Sequence, residues 1–396
     1  MTSEPIAAKP ANSRAKARAL RFVLLVGVMS LFADFTYEGS RSVVGPYMAT
    51  LGASALAVGV TAGFGELIGY GFRLVSGRMS DRTRQFWPIT IVGYIVQMSA
   101  VPLLAVAGTW QIAAVLVVLE RLGKATRNPP RDVMLSHAGS EIGYGWAFGV
   151  HEALDQSGAM VGPLAVSAVL AVHGQYETAF AFLAIPALLT LSILAIARLT
   201  YPRPQDLESE PPEVGAHGLP RVYWIYLAGA ALVAAGFADF PLIAFRFHQD
   251  STISASAIPL FYAVAMAVSG AGSLAFGRIF DRSGLWILIP LTIVGALFAP
   301  LVFFGGAGLA LLGVALWGLG MGVHESIIPA AVSQMVSREH RATAYGTFTA
   351  AYGLSWFAGS AAMVSFCVAA ELAAVPVLML VVRCMPASSA GPASTG

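Results

Sequence analysis

Asp34, Glu38 and Arg41 stand at i, i+4 and i+7 in an almost wholly apolar stretch that begins Phe32-Ala33-Asp34-Phe35. On a helix this spacing puts all three on one face. Glu38 and Arg41, three apart, can pair, which leaves Asp34 as the carboxylate without a local partner. A carboxylate in apolar surroundings is suited to taking up and releasing a proton, or to holding a cation. The plainer reading is a structural charge pair near a membrane surface. The tetrapeptide returns at Phe237-Ala238-Asp239-Phe240, and Arg246 follows Asp239 at the distance at which Arg41 follows Asp34. Ile243 stands where Glu38 would, so the first copy is the expected proton carrier.

A second group is His151, Glu152 and Asp155, in which His151 and Asp155 share a helical face. A carboxylate next to an imidazole is equipment for exchanging protons near neutrality. Glu66, Glu325 with His324 beside it, and Glu371 are further ionisable groups in apolar runs. Each such group costs about 2.5–3.5 kcal/mol at membrane depth and is therefore a functional candidate. The competing reading is a hydrogen-bonded member of a helix bundle, the commoner role of a lone histidine.

These residues must be positioned by membrane-spanning elements. The chain has 396 residues, 57% hydrophobic and 11% charged, where a soluble domain carries about 25% charge. This composition points to an all-α, polytopic membrane protein, because helices satisfy their own backbone in lipid. Apolar runs long enough to cross occur near 20–48, 54–76, 86–107, 110–127, 142–172 and 177–198. A second set lies near 222–247, 254–276, 285–304, 307–333, 342–362 and 364–383. The expected organisation is an N-terminal tail (1–19), a six-helix bundle (20–198), a polar Pro-rich linker (199–221), a second bundle (222–385) and a disordered tail (386–396). The last two runs are joined almost without a turn, so twelve spans are expected, or eleven if that hairpin has lost a segment.

Lys and Arg cluster at 9–18, 78–84, 124–131, 198–221, 278–282 and 338–341, alternate connections of this scheme. The positive-inside rule then places the N-terminus and the linker in the cytoplasm. The basic run 14–21 suits a topology anchor better than a lipid-binding arm. Arg127-Asn-Pro-Pro-Arg131 is expected to end helix four, since proline cannot continue it. The net charge of +2 gives no case for nucleic acid, and Cys367 and Cys384 have no metal or redox spacing. Gly123-Lys124 lacks the rest of a phosphate-binding loop, and no nucleophile–base motif is visible. No enzyme activity, cofactor or metal is expected.

Two repeats then suggest two related halves around a central cavity. The FADF element is one. The other is Gly77-Arg78-Met79-Ser80-Asp81-Arg82 against Gly277-Arg278-Ile279-Phe280-Asp281-Arg282, each copy after the second span of its half. Duplicated bundles with a site between them are a common transporter design.

The doubled G-x-x-x-D-R resembles the signature of the major facilitator superfamily, and the resemblance covers nearly the whole chain. Thr83-Arg84-Gln85 departs from the usual continuation. In span five, Gly149, Gly158, Gly162 and Pro163 are spaced like the motif of that superfamily's proton-coupled exporters, although Leu164, Ala165 and Val166 replace its trailing glycines. The run from Arg121 to Asp132 and Gly322-Val-His-Glu325-Ser resemble a widespread bacterial subgroup. The resemblance implies a secondary transporter that exchanges protons for a small molecule across the bacterial inner membrane, working as a monomer. A symporter and a non-transporting sensor or scaffold are the alternatives. It also implies a gating latch in which Asp81, with Arg82, meets the start of span eleven and basic residues near Arg121, with Asp281 and Arg282 as the second copy. The alternative for these residues is a topology determinant, and for the span-five glycines a packing seam. Tyr37, Tyr47, Trp317, Tyr352 and Trp356 with the carboxylates suggest an aromatic, acidic cavity suited to an amphipathic, cationic compound; the alternative is the lining of an ordinary helix bundle.

Overall fold

The computed structural model describes residues 11–208, 218–237, 240, 243, 247, 258–360 and 373–381. Asp239, Arg246, Glu371 and the join between the last two expected spans lie outside these residues.

The first half comprises α1 (Ala11–Thr50), α2 (Ala55–Thr83), α3 (Phe86–Leu103), α4 (Trp110–Ile142) and α5 (Tyr144–His173). It closes with a span broken at Leu183 into α6 (Tyr176–Phe182) and α7 (Ala184–Thr200). A short turn, Pro204–Leu207, follows in the linker. The second half comprises α8 (Arg221–Gly236), α9 (Ile258–Ser283), α10 (Leu288–Ala296), α11 (Phe298–Phe304), α12 (Ala307–Met335) and α13 (Arg341–Ser360). Residues 373–381 are also helical, and the described residues contain no strand.

The boundaries have local causes. Ser54 starts α2 by accepting the Ala57 amide, and Thr109 starts α4 by accepting that of Ile112. Gly174 ends α5 in the left-handed conformation. At 40 residues α1 is about 60 Å long, twice the hydrocarbon core, so its basic first turns project beyond the bilayer. Large apolar side chains such as Leu56, Val172, Leu199 and Phe304 face outward, as lipid contact requires.

Helix four differs from expectation. It runs without interruption through Pro129 and Pro130 to Ile142. Pro129 has no amide to give the Ala125 carbonyl, but Ser76 Oγ of α2 donates to that oxygen at 2.8 Å. A hydroxyl from a neighbouring helix thus replaces the missing backbone bond. In consequence 124–131 is no loop: Arg127, Asn128 and Arg131 are buried inside the bundle.

Among the described residues six helical stretches are long and apolar enough to cross a membrane: Ser13–Arg41, Phe86–Val106, Tyr144–His173, Tyr176–Thr200, Leu260–Phe304 and Ala307–Met335. α4 is as long, but Glu120, Arg121, Lys124 and Arg127 keep it out of this set.

Helix α5 packs on α1 and α9, α2 on α4 and α13, and α9 on α12. The closest approaches run over glycines. A Cβ on Gly158 would strike the Leu31 carbonyl, and one on Gly162 that of Phe35. Gly149 lies against the Ser273 carbonyl, and Gly318 and Gly322 bring α12 onto α9.

Candidate functional site: a buried charge cluster and a closed end

The cluster is built on α1, α2, α4 and α5. Asp34 is 6% exposed, and its Oδ1 lies 3.6 Å from Lys124 Nζ and 3.7 Å from Arg127 Nη2. The carboxylate expected to lack a partner therefore has two, both from α4. Glu38 and Arg41 pair at 3.4 Å, as their spacing predicts. Glu66 pairs with Arg121 at 3.1 Å, so Arg121 lies in the cluster and not beside Asp81. The Arg121 guanidinium and the Lys124 ammonium lie 4.7 and 3.7 Å from the centre of the Tyr37 ring, favourable cation–π distances.

The polar network continues inward. Arg127 donates to Gln97 at 2.6 Å and Tyr94 at 3.0 Å, and Gln97 donates to Glu120 at 3.2 Å. Arg131 binds Asp132 at 2.8 Å and reaches Ser30 at 3.5 Å, and Ser30 bonds His151 at 2.9 Å. On α5 the Gln156 amide donates to Glu152 at 2.6 Å and to Glu325 of α12 at 2.9 Å. One side chain thus joins carboxylates of the two halves. Asp155 Oδ1 is buried with no hydrogen-bond partner among the described residues. Beyond Glu325, His324 bonds Tyr352 at 2.6 Å and stands edge-on to Phe237, which stacks with Trp317.

Asp34, Glu152, Asp155 and Glu325 are thus brought into one region, with Glu66 and Glu38 along its α1–α2 side. Sequence reasoning missed Glu120, Lys124, Arg127, Arg131, Gln97 and Gln156. The spacing 120, 124, 127, 131 is one helical face, a signal hidden by reading the two prolines as a helix end.

Far from this cluster the two halves meet again at one end of the bundle. Asp81 accepts the amides of Ala342 at 3.1 Å and Thr343 at 2.6 Å, at the start of α13. Asp281 accepts those of Gly145 and Trp146, both at 2.7 Å, at the start of α5. A carboxylate at a helix N-terminus satisfies free amides and meets the positive end of the dipole. Partial burial pushes the Asp81 carboxyl above its ordinary 3.8, against the pull of these amides. Beside each cap the backbones touch: a Cβ on Gly77 would strike the Ala342 carbonyl, and one on Gly277 that of Gly145. Arg278 lies 3.8 Å over the Trp146 ring, while Arg82 and Arg282 are exposed. Pro163 sits within α5, one residue after Gly162.

A sequence model of the Major Facilitator Superfamily matches residues 20–360. An uncharacterized protein of Mycobacterium tuberculosis is 41% identical over 350 residues, 87% of this chain and 86% of the relative. An uncharacterized MFS-type transporter of Methanocaldococcus jannaschii is 24% identical over 341 residues, 84% and 85% of the two chains. Among solved structures, the human organic anion transporter MFSD10 superposes with a TM-score of 0.67 at 15% identity, covering 94% of this chain and 99% of its own. The E. coli fucose:proton symporter FucP gives 0.65 at 11% identity, covering 93% and 99%. These last two likenesses are of fold alone.

Proposed function

Because the chain belongs to the Major Facilitator Superfamily, we propose that it is a proton-coupled secondary transporter, exporting a small amphipathic molecule by alternating access across a bacterial cytoplasmic membrane. The observation that carries this reading is Gln156, whose one amide bridges Glu152 and Glu325 across the two halves. A proton taken up there has oxygens of both halves to choose between, so its arrival changes what holds the halves together. Asp34 and Asp155 extend the carboxylate set, and Lys124 and Arg127 balance Asp34. The span-five residues Gly149, Gly158, Gly162 and Pro163 favour export over import by their resemblance to the motif of the superfamily's proton-coupled exporters.

In this reading twelve spans form two pseudo-repeats around the cluster, the N-terminus is cytoplasmic, and so is the end bearing Asp81 and Asp281. The matching contacts of α2 with α13 and of α5 with α9 support the duplication: each has a carboxylate cap and a glycine-lined approach. Asp81 and Asp281 then latch the cytoplasmic side closed.

The test is proton movement by purified protein in lipid vesicles, driven by a panel of amphipathic compounds, for the wild type and Asp34→Asn. Compound-driven movement lost in a variant that still binds the compound is the expected result and places the coupled proton at Asp34. Movement unchanged by the substitution shifts coupling to Glu152 or Asp155. Compound binding without proton movement in the wild type overturns proton coupling.

A further inference from the structure

The linker enters the closed end by way of a buried carboxylate. Pro204 and Leu207 are buried, and the Glu208 side chain that follows has no exposure. Its Oε2 lies 2.6 Å from His137 Nδ1 of α4 and 3.1 Å from Arg338 Nε, and its Oε1 lies 2.9 Å from Arg341 Nη2 at the start of α13. Arg341, itself fully buried, also donates to Ser136 of α4 at 3.1 Å and to Tyr144 of α5 at 3.3 Å. Arg338 further donates to the Gln205 carbonyl of the linker.

The arrangement differs in kind from the two aspartate caps. Each cap joins one helix end to one other by backbone amides. Glu208 lies between α4 of the first half and the α12–α13 connection of the second, and one carboxylate meets cationic or protonatable side chains of both. Among the described residues two guanidinium groups share a single counter-ion there, with an imidazole whose Nε2 is buried and without a hydrogen-bond partner. Remove the carboxylate and two guanidinium groups, Arg341 fully buried and Arg338 partly exposed, are left facing each other without it, an arrangement that repels itself. Such a pocket is chemically a receptor for a small carboxylate: forked guanidinium donors and an imidazole converging on one point.

We propose that His137, Arg338 and Arg341 form a carboxylate-binding socket that the linker's own Glu208 fills while the cytoplasmic end is closed, and that Glu208 withdraws when that end opens. The inference rests on the alternating-access reading above. The linker is then a moving part of the gate, and the filled socket weights the resting equilibrium toward the closed end.

The test measures the opening directly. Spin labels at Gln85→Cys and Ser283→Cys, exposed positions on the two halves, report the width of the cytoplasmic end in lipid nanodiscs, with Cys367 and Cys384 replaced by serine. E208A is expected to raise the population of long distances several-fold, and E208Q to raise it less, since an amide keeps the shape without the charge. Sodium acetate, but not sodium chloride, is expected to return E208A toward the wild-type distribution and to leave the wild type unchanged. If E208A does not fold, R338A, which removes a partly exposed member of the socket, must still widen the distribution. Asp81→Asn with Asp281→Asn serves as the control for movement itself. If that control widens the end while both Glu208 variants and R338A leave it unchanged, the socket is wrong and the transporter reading stands. If no variant moves it, both fail. A shift in E208A that acetate does not reverse overturns the socket as a carboxylate site.

Discussion

Arg127 is fully buried beside Asp34, and this governs what a substitution at either position does. Asp34→Asn leaves a buried guanidinium and a nearly buried ammonium without their carboxylate, a loss of about 3–5 kcal/mol for a buried pair. Arg127→Gln is expected to destabilise less in the Asp34→Asn background than alone, which a double-mutant cycle of thermal unfolding in detergent would show. Additive effects would mean that the two groups do not interact. Asp34 itself was legible, because a carboxylate in an apolar run stands out in any sequence. Its partners were not, because Lys124, Arg127 and Arg131 look like the positive charge of a cytoplasmic loop, and only the continuation of α4 turns them inward. Glu38 and Arg41 were legible in full, since three-residue spacing on one helix needs no tertiary information.

At the scale of elements, α4 carries the clearest lesson. A proline is judged locally: it removes an amide and crowds the preceding turn. Whether the helix survives depends on what satisfies the freed carbonyl, and here that is Ser76 on another helix. Ser76→Ala is expected to cost about 1–3 kcal/mol, the penalty for a buried carbonyl left unpaired. The cost should shrink in a Pro129→Ala background, where the backbone supplies its own amide. An equal cost in both backgrounds would remove Ser76 from that role. The seam of α5 on α1 gives a second prediction. Gly158→Ala places a methyl on the Leu31 carbonyl, so the helices must separate, at about 1–3 kcal/mol or more. Lowered thermal stability is the expected readout, and a wild-type melting temperature would show that the seam yields. The regular spacing of these glycines was readable; the carbonyls they face were not.

At the scale of the whole molecule, the doubled Gly-Arg-x-x-Asp-Arg element announced two related contacts, and α2 with α13 and α5 with α9 are where those elements dock. The linker was readable only as polar and Pro-rich, because the groups that bury Glu208 come from α4 and from Arg338 and Arg341, more than a hundred positions on. Its pH behaviour follows from that environment. Burial disfavours the charged carboxylate, but the His137 hydrogen bond and the charges of Arg341 and Arg338 prevail and hold Glu208 below its ordinary 4.5. That contribution is complete above about pH 4.5 and is lost as pH falls through the lower folded value. Burial pushes the His137 imidazole below its ordinary 6.5, despite Glu208 and with Arg341 and Arg338 adding to the effect. Its neutral form belongs to the fold, so stability also declines as pH falls below 6.5. Thermal unfolding against pH is expected to be flat from 7 to 8 and to decline in two stages on acidification. His137→Gln should shrink the upper stage and leave the lower one in place; a profile unaltered by that change would exclude the imidazole.

The backbone-on-backbone contacts of Gly77 with Ala342 and of Gly145 with Gly277 also bear on speed. A joint between long side chains must shuffle many rotamers each time it parts, and each alternative arrangement is a trap along the way. A joint without side chains has nothing to shuffle: it separates and re-forms as a smooth bearing, with no rotamer entropy to lose on closing. What resists parting at that end is concentrated in a few polar catches, the amides held by Asp81 and Asp281 and the groups held by Glu208. The rate of opening should therefore answer sharply to those three carboxylates and hardly at all to the bulk of the apolar residues around them.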